Sequence, residues 1–238
     1  MERITVGEIS VDVVRKGIKN IHLAVYPPDG RVRIAVPEDT SDETIRLFIV
    51  SRLSWIKRLR RRFEEQERLP KPEYRERESH YLFGQRYLLA VTEGNVPPAI
   101  SPRSKTYIDM FIRPGTSFEK KHHLMNEWYR SQLKKVIPEY IEKWEARTDL
   151  KIGGWQVKAM KTLWGSCMVE KKRIWINLEL AKKPLSCLEY IIVHEMVHLL
   201  ERDHNERFTA HMDSFLPNWR QLRTELNKFP ASHAEWKY

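Results

Sequence analysis

"VHEMVHLLERDHNERF", residues 193–208, sets three of the chain's nine histidines within eleven positions and puts Glu195 directly after the first of them. Just upstream, Pro184 interrupts the pattern, and Ser186 with Glu189 stands at capping-box spacing ahead of the apolar run "YIIVHEMVHLL", so a helix is expected. On a helix, residues four apart lie on one face a turn above each other. His194 and His198 can therefore present ring nitrogens to a common point about 2 Å from each. Glu195 is about 100° around the helix from His194, beside that point and not on it.

Two neutral imidazoles suit zinc. A bound zinc ion lowers the pKa of water from about 15.7 toward 7 and polarises a carbonyl oxygen. A carboxylate alongside can take the proton and pass it to a leaving amine. A catalytic zinc commonly has three protein ligands and an open fourth position, which asks for one more donor. His204 is the first candidate, with His211 and Glu206 as rivals. An unbroken helix would carry His204 about 9 Å along the axis and about 240° around it, away from the metal. The chain must therefore turn within "LERDHN", where Asp203 and Asn205 tolerate turn conformations and Asn205 can cap a following helix. That helix would set Phe208, Met212 and Phe215 behind the site.

At 238 residues the chain can bury a core without disulfides or a structural metal. Its 41% hydrophobic and 31% charged content fit a soluble globular protein. No stretch approaches the roughly 20 apolar residues that cross a bilayer, and "MERITVGEISVDVV" lacks the order of a secretion signal, so no membrane contact and a cytoplasmic location are expected. Cys167 and Cys187 are expected to be small, buried thiols. The net charge of +10 favours polyanionic partners in general.

Near the start, "ISVDVVRKG", "KNIHLAVYP" and "RVRIAVP" alternate apolar and polar residues, which predicts a small antiparallel meander with "PPDG" turning between the last two. Thr40 and Glu43 have capping-box spacing. Ile45, Ile49, Ile56, Leu59 and Phe63 then follow a helical period, predicting one helix to about Glu67. "HYLFGQRYLLAV" suggests a hairpin at Gly84, and "KTYIDMFI" one more strand. From Phe118 to Arg147 a helical pattern carries Leu124, Trp128, Leu133, Ile137, Tyr140 and Trp144, with Pro138 expected to kink or divide it. "WQVKAM" and "RIWINLEL" read as strands flanking "KTLWGSC". No internal repeat is evident.

The combination "MKTLWGSC" at 160–167, "INLELAKKP" at 176–184, "LEYIIVHEMVHL" at 188–199 and "HNERF" at 204–208 resembles the YgjP-like (also called SprT-like) zincin metallopeptidases. The resemblance is strongest from about Trp155 to Asn227 and weaker over "RKGIKNIHLAVYPPDGRVRIAVP" and "WIKR". It implies a zinc peptidase with His194, His198 and His204 as ligands and Glu195 as catalytic acid/base. By analogy with zincins, "RIWINLEL" would line the cleft and pair with an extended substrate. The spacing also equals that of metzincins, but Glu201 stands where their turn glycine would be.

Other features have plainer readings beside functional ones. "WGSC" could offer backbone donors or a thiol near the metal, yet a strand-edge glycine and a buried Cys167 are the commoner explanation. Asn177 could reach the cleft or cap a turn. Lys57, Arg58, Arg60, Arg61 and Arg62 form the densest basic run, read first as a solvated helix face and second as a nucleic-acid contact.

The sequence thus predicts an α+β chain: a β-rich part over 1–115 with one long helix, and a zincin-like catalytic part over 116–238. The expected activity is zinc-dependent peptide hydrolysis on a protein or peptide substrate. The alternatives are a metal-dependent nucleoside triphosphate pyrophosphatase, or a DNA-associated protein with a structural metal.

Overall fold

The computed structural model describes residues 2–26, 29–65, 72–160 and 163–228. The chain forms two compact units, Met1–Pro70 and Lys71–Phe229.

In the first unit, strands β1 (Glu2–Val6), β2 (Ile9–Lys16), β3 (His22–Tyr26) and β4 (Arg31–Pro37) form one sheet in the order β1-β2-β4-β3. The expected meander is corrected in two ways. "ERITV" supplies an additional strand, turned through Gly7 at φ 58°, and β2 pairs with β4 in parallel while β3 sits at the edge. Alternation still sets the faces, with Val11, Val13, Val32, Ile34 and Val36 pointing into the core.

Helices α1 (Asp42–Ser51) and α2 (Leu53–Glu65) cover that core. Ser41, not Thr40, caps α1 by accepting from the Thr44 amide at 3.2 Å. The single helix expected here breaks at Arg52, whose ψ of 4° leaves the helical range. Ile45, Ile49 and Ile56 nonetheless stay on one buried face. Glu67, where the helix was expected to end, lies outside the described residues. Within the basic run, Lys57, Arg58 and Arg61 are exposed, while Arg60 lays its stem over Gly30.

The second unit begins with β5 (Ser79–Leu82), β6 (Gln85–Glu93), β7 (Ala99–Pro102) and β8 (Tyr107–Ile112), in the order β5-β6-β8-β7. The pairing senses match those of the first sheet: antiparallel hairpin, parallel central pair, antiparallel edge. The topology is therefore repeated, although no repeat is visible in the residues.

This sheet shares one core with everything downstream, through Leu89, Ile108, Met110 and Ile112 against α3 (Phe118–Thr148). Its hairpin turn, Phe83–Gly84, also docks on the later chain. The Phe83 amide donates to Ala181 O at 2.7 Å, and a Cβ at Gly84 would come within 2.9 Å of Pro184 Cγ. The boundary expected near residue 115 is accordingly replaced by one near residue 70.

Helix α3 runs unbroken through Pro138, capped by Ser117. Trp128, Leu133, Ile137 and Trp144 are buried along it, and Leu124 and Tyr140 pack partly buried against the same core. Strands β9 (Gly154–Lys158), β10 (Gly165–Met168) and β11 (Arg173–Asn177) form a third sheet in the order β10-β11-β9. A short 3-10 helix, Leu178–Lys182, leads into α4 (Leu185–Val197), which is followed by α5 (Glu206–Phe215) and α6 (Trp219–Lys228). Among the described residues, no helix is long and apolar enough to cross a membrane.

Candidate metal centre

Helix α4 is apolar nearly all round, with Leu188, Ile192, Val193, Met196 and Val197 buried, as befits a helix enclosed by its own unit. Its start departs from expectation. Pro184 occupies the N-cap without a side-chain bond, and Ser186 does not cap. Glu189 instead accepts from Trp144 Nε1 at 2.9 Å and Lys143 Nζ at 2.5 Å, which ties α4 to α3.

The helix ends at His198, and the chain turns through residues 199–205 before Asn205 caps α5 by accepting from the Phe208 amide at 3.0 Å. That reversal brings His204 back to His194 and His198. One ring nitrogen from each lies within 4.8 Å of the others, and His194 Nε2 faces His204 Nε2 at 2.9 Å. The rivals His211 and Glu206 fall outside the group. Phe208 closes it from behind, its ring centroid 4.9 Å from those of His194 and His198 and 4.6 Å from that of His204.

The donor set fits a divalent metal ion. His198 Nδ1 lies 3.1 Å from Glu201 O, and because a carbonyl only accepts, this nitrogen carries the proton and leaves Nε2 free to ligate. Burial, reinforced by His198, His204 and Arg223, pushes the His194 pKa down to about 3, so this ring stays neutral. The His204 pKa is lowered too, first by burial and then by His198 and Arg223. Two neutral imidazole nitrogens at 2.9 Å repel through their lone pairs unless a proton or cation lies between them. Nitrogens sharing a tetrahedral zinc sit about 3.3 Å apart, close to this spacing. His194 Nδ1 is buried with no hydrogen-bond partner among the described residues.

Glu195 is 4% exposed, and burial pushes its pKa up to about 8. Its side chain lies against Gly165 of β10, where a Cβ would come within 2.7 Å of Glu195 Cγ and 2.8 Å of Cδ. The glycine of "WGSC" is therefore the space the carboxylate occupies. Cys167, on the same face two residues on, is half-buried, and burial and then Glu195 push its thiol pKa up to about 11. It is not grouped with the three histidines, and Cys187 is buried.

Asn177 caps rather than catalyses. It accepts from the Glu179 amide at 3.2 Å and donates to Met160 O at 2.9 Å and Leu163 O at 2.7 Å, fixing the loop that delivers Trp164 and Gly165. Within that loop, Lys161 and Thr162 of the "MKTLWGSC" stretch lie outside the described residues.

A cleft of about 170 Å³ opens beside Glu195 and His194. Besides these two it is lined by Trp164 and Gly165 at the start of β10, Tyr190 and Ile191 of α4, and Arg223, Leu226 and Asn227 of α6. Tyr190 stacks on Trp219 at 6.5 Å and meets His194 edge-on at 5.8 Å. The expected substrate-pairing strand is corrected here: β11 lies between β10 and β9, so both its edges are taken, and the sheet's edge beside Glu195 belongs to β10. The Asn177 amide donates to Trp164 O, which makes Trp164–Asn177 a bonded pair and, by alternation, turns the amides and carbonyls of Gly165 and Cys167 outward. Sequence reading missed Tyr190, Trp219 and Arg223, because cleft position leaves no mark in a helical period.

The family model described as "YgjP-like, metallopeptidase domain" matches residues 19–229. Among curated proteins, none matches the chain.

Proposed function

Because the chain belongs to the YgjP-like metallopeptidase family, we propose that it is a zinc-dependent peptidase of zincin type, with His194, His198 and His204 holding the ion and Glu195 as general acid/base. The observation that carries this is the meeting of three imidazole nitrogens within 4.8 Å beside a buried carboxylate at the wall of a cleft.

When bound, zinc supplies a Lewis acid for the scissile carbonyl, makes water a stronger acid, and favours the ionised form of the neighbouring Glu195. Glu195 accepts a proton from the attacking water and delivers it to the leaving amine nitrogen. Gly165 leaves room for that carboxylate and keeps it against β10. A substrate strand laid along β10 would use the outward amides and carbonyls of Gly165 and Cys167, so main-chain bonds align the peptide while the cleft reads its side chains.

The test is a peptide library and a parallel nucleoside triphosphate assay on the zinc-loaded parent and on Glu195→Gln. The parent is expected to cut peptides, and the variant to retain zinc while losing at least about a hundredfold in kcat/KM, the usual weight of a general acid/base. Pyrophosphate release with peptides untouched, or undiminished cleavage by the variant, overturns the proposal.

A further inference from the structure

Among the described residues lining the cleft, Arg223 is a cation to which the proposed reaction gives no part. Helix α6 is firmly seated: Trp219 stacks on Tyr190 and donates to Asp213 Oδ1 at 2.8 Å, and Leu222 and Leu226 are buried. Arg223 stands beside that buried stripe, exposed, and lines the cleft together with Gly165, His194 and Glu195. Its neighbour Arg220 is committed to Asp213 through both terminal nitrogens. The Arg223 guanidinium makes no ion pair or hydrogen bond among the described residues. Asn227, one turn on, donates to the Arg223 carbonyl at 2.8 Å. Among the described residues lining the cleft, the sole carboxylate is Glu195, and no ion pair joins it to Arg223.

A guanidinium presents five donors in a rigid fork that matches a carboxylate in bidentate fashion. The other walls are aromatic or aliphatic, apart from Asn227 and the chemical groups themselves. We propose that Arg223 selects substrates carrying a carboxylate close to the scissile bond, either an Asp or Glu side chain or the peptide's own C-terminal carboxylate. This rests on the peptidase reading above. Arg223 binds the carboxylate in the ground state and the transition state alike, so its contribution falls mainly on KM.

The test takes the zinc-loaded full chain and matched peptides around one cleavable bond. These carry Glu, Gln or Lys at each flanking position, with a free or amidated C-terminus. The parent is expected to favour carboxylate-bearing peptides by about tenfold or more in kcat/KM, the weight of one charge-assisted contact at an exposed site. Arg223→Ala abolishes the preference, Arg223→Lys keeps part of it, and Arg223→Glu shifts it toward the Lys peptides. Loss confined to amidated peptides assigns the carboxylate to the C-terminus. Loss on Glu→Gln exchange assigns it to a side chain. Binding of the same peptides to Glu195→Gln should follow the same order without any turnover.

Indifference of the parent to the carboxylate, or a uniform loss on all peptides in Arg223→Glu with no inversion, overturns the selection role while leaving the peptidase standing. If the parent cuts no peptide at all, the peptidase reading falls, and the selection role falls with it.

Discussion

Gly165→Ala should disable the centre without emptying it. The glycine's backbone is one that any residue adopts, so the added methyl acts only by volume. An ideal Cβ would sit 2.7 Å from Glu195 Cγ and 2.8 Å from Cδ. Carbon atoms ordinarily approach to about 3.4–3.5 Å, so the carboxylate arm must retreat by about 0.7 Å. A misplacement of about 1 Å can cost on the order of a hundredfold in rate, which sets the expected fall in kcat/KM at roughly ten- to a hundredfold. The three histidines lie on other atoms of α4 and the turn beyond it, so zinc stoichiometry should stay at the parental level. Overpacking costs about 1–3 kcal/mol, which a thermal melt would register as a moderate drop in Tm. Gly94→Ala is the control, since a Cβ there meets nothing within 4 Å. Parental kcat/KM in a fully folded, zinc-loaded Gly165→Ala would refute the reasoning.

His204→Ala should weaken zinc binding by at least about a hundredfold in a chelator competition, since it removes one of the three proposed ligands, whereas His211→Ala and Glu206→Ala should retain the metal. In metal-stripped protein, Glu195 holds its proton up to about 8 against an ordinary 4.5, so its contribution to stability falls as pH rises from 4.5 to 8. His194, lowered from 6.5 to about 3, adds stability as pH rises from 3 to 6.5 and nothing beyond. Between pH 6.5 and 8 the Tm of the stripped parent should therefore decline through Glu195, and Glu195→Gln should remove that slope; an unchanged slope would show that burial does not hold the proton. Finally, N-methylating a substrate amide that pairs with β10 should cost about fivefold in kcat/KM, one main-chain hydrogen bond of about 1 kcal/mol, and equal rates for every methylated position would refute pairing along β10.

What could be read from the residues and what could not divide along a physical line. The spacing of His194, Glu195 and His198 is a statement about one helix, whose 3.6-residue period is a local property, so their shared face was legible. The turn that returns His204 was legible by exclusion, because a continued helix would have carried it away, and Asn205 marked the restart. The sheets were less accessible. Alternation identifies a strand and its faces but not its neighbours, so "RIWIN" is legible as a strand, while "GSCM", too short to alternate visibly and read only as the stretch between two strands, is the one that takes the edge. The same limit turned a parallel β2–β4 pair into an expected meander and hid a topology that recurs in β5 to β8. Helix caps failed for a related reason: Thr40 and Ser186 had capping spacing, but Ser41 and Pro184 occupy the positions, and Glu189 is drawn off by Trp144 and Lys143 on another helix. The same distinction separates the two acidic and basic groups at the cleft. Glu195 announces itself by standing next to His194 in sequence, whereas Arg223 is brought to the same cleft with the stacking of Trp219 on Tyr190, a tertiary contact that no period along α6 encodes. Chemistry carried by one helix is therefore written locally, and selectivity, which needs two elements to face each other, is written only in their packing.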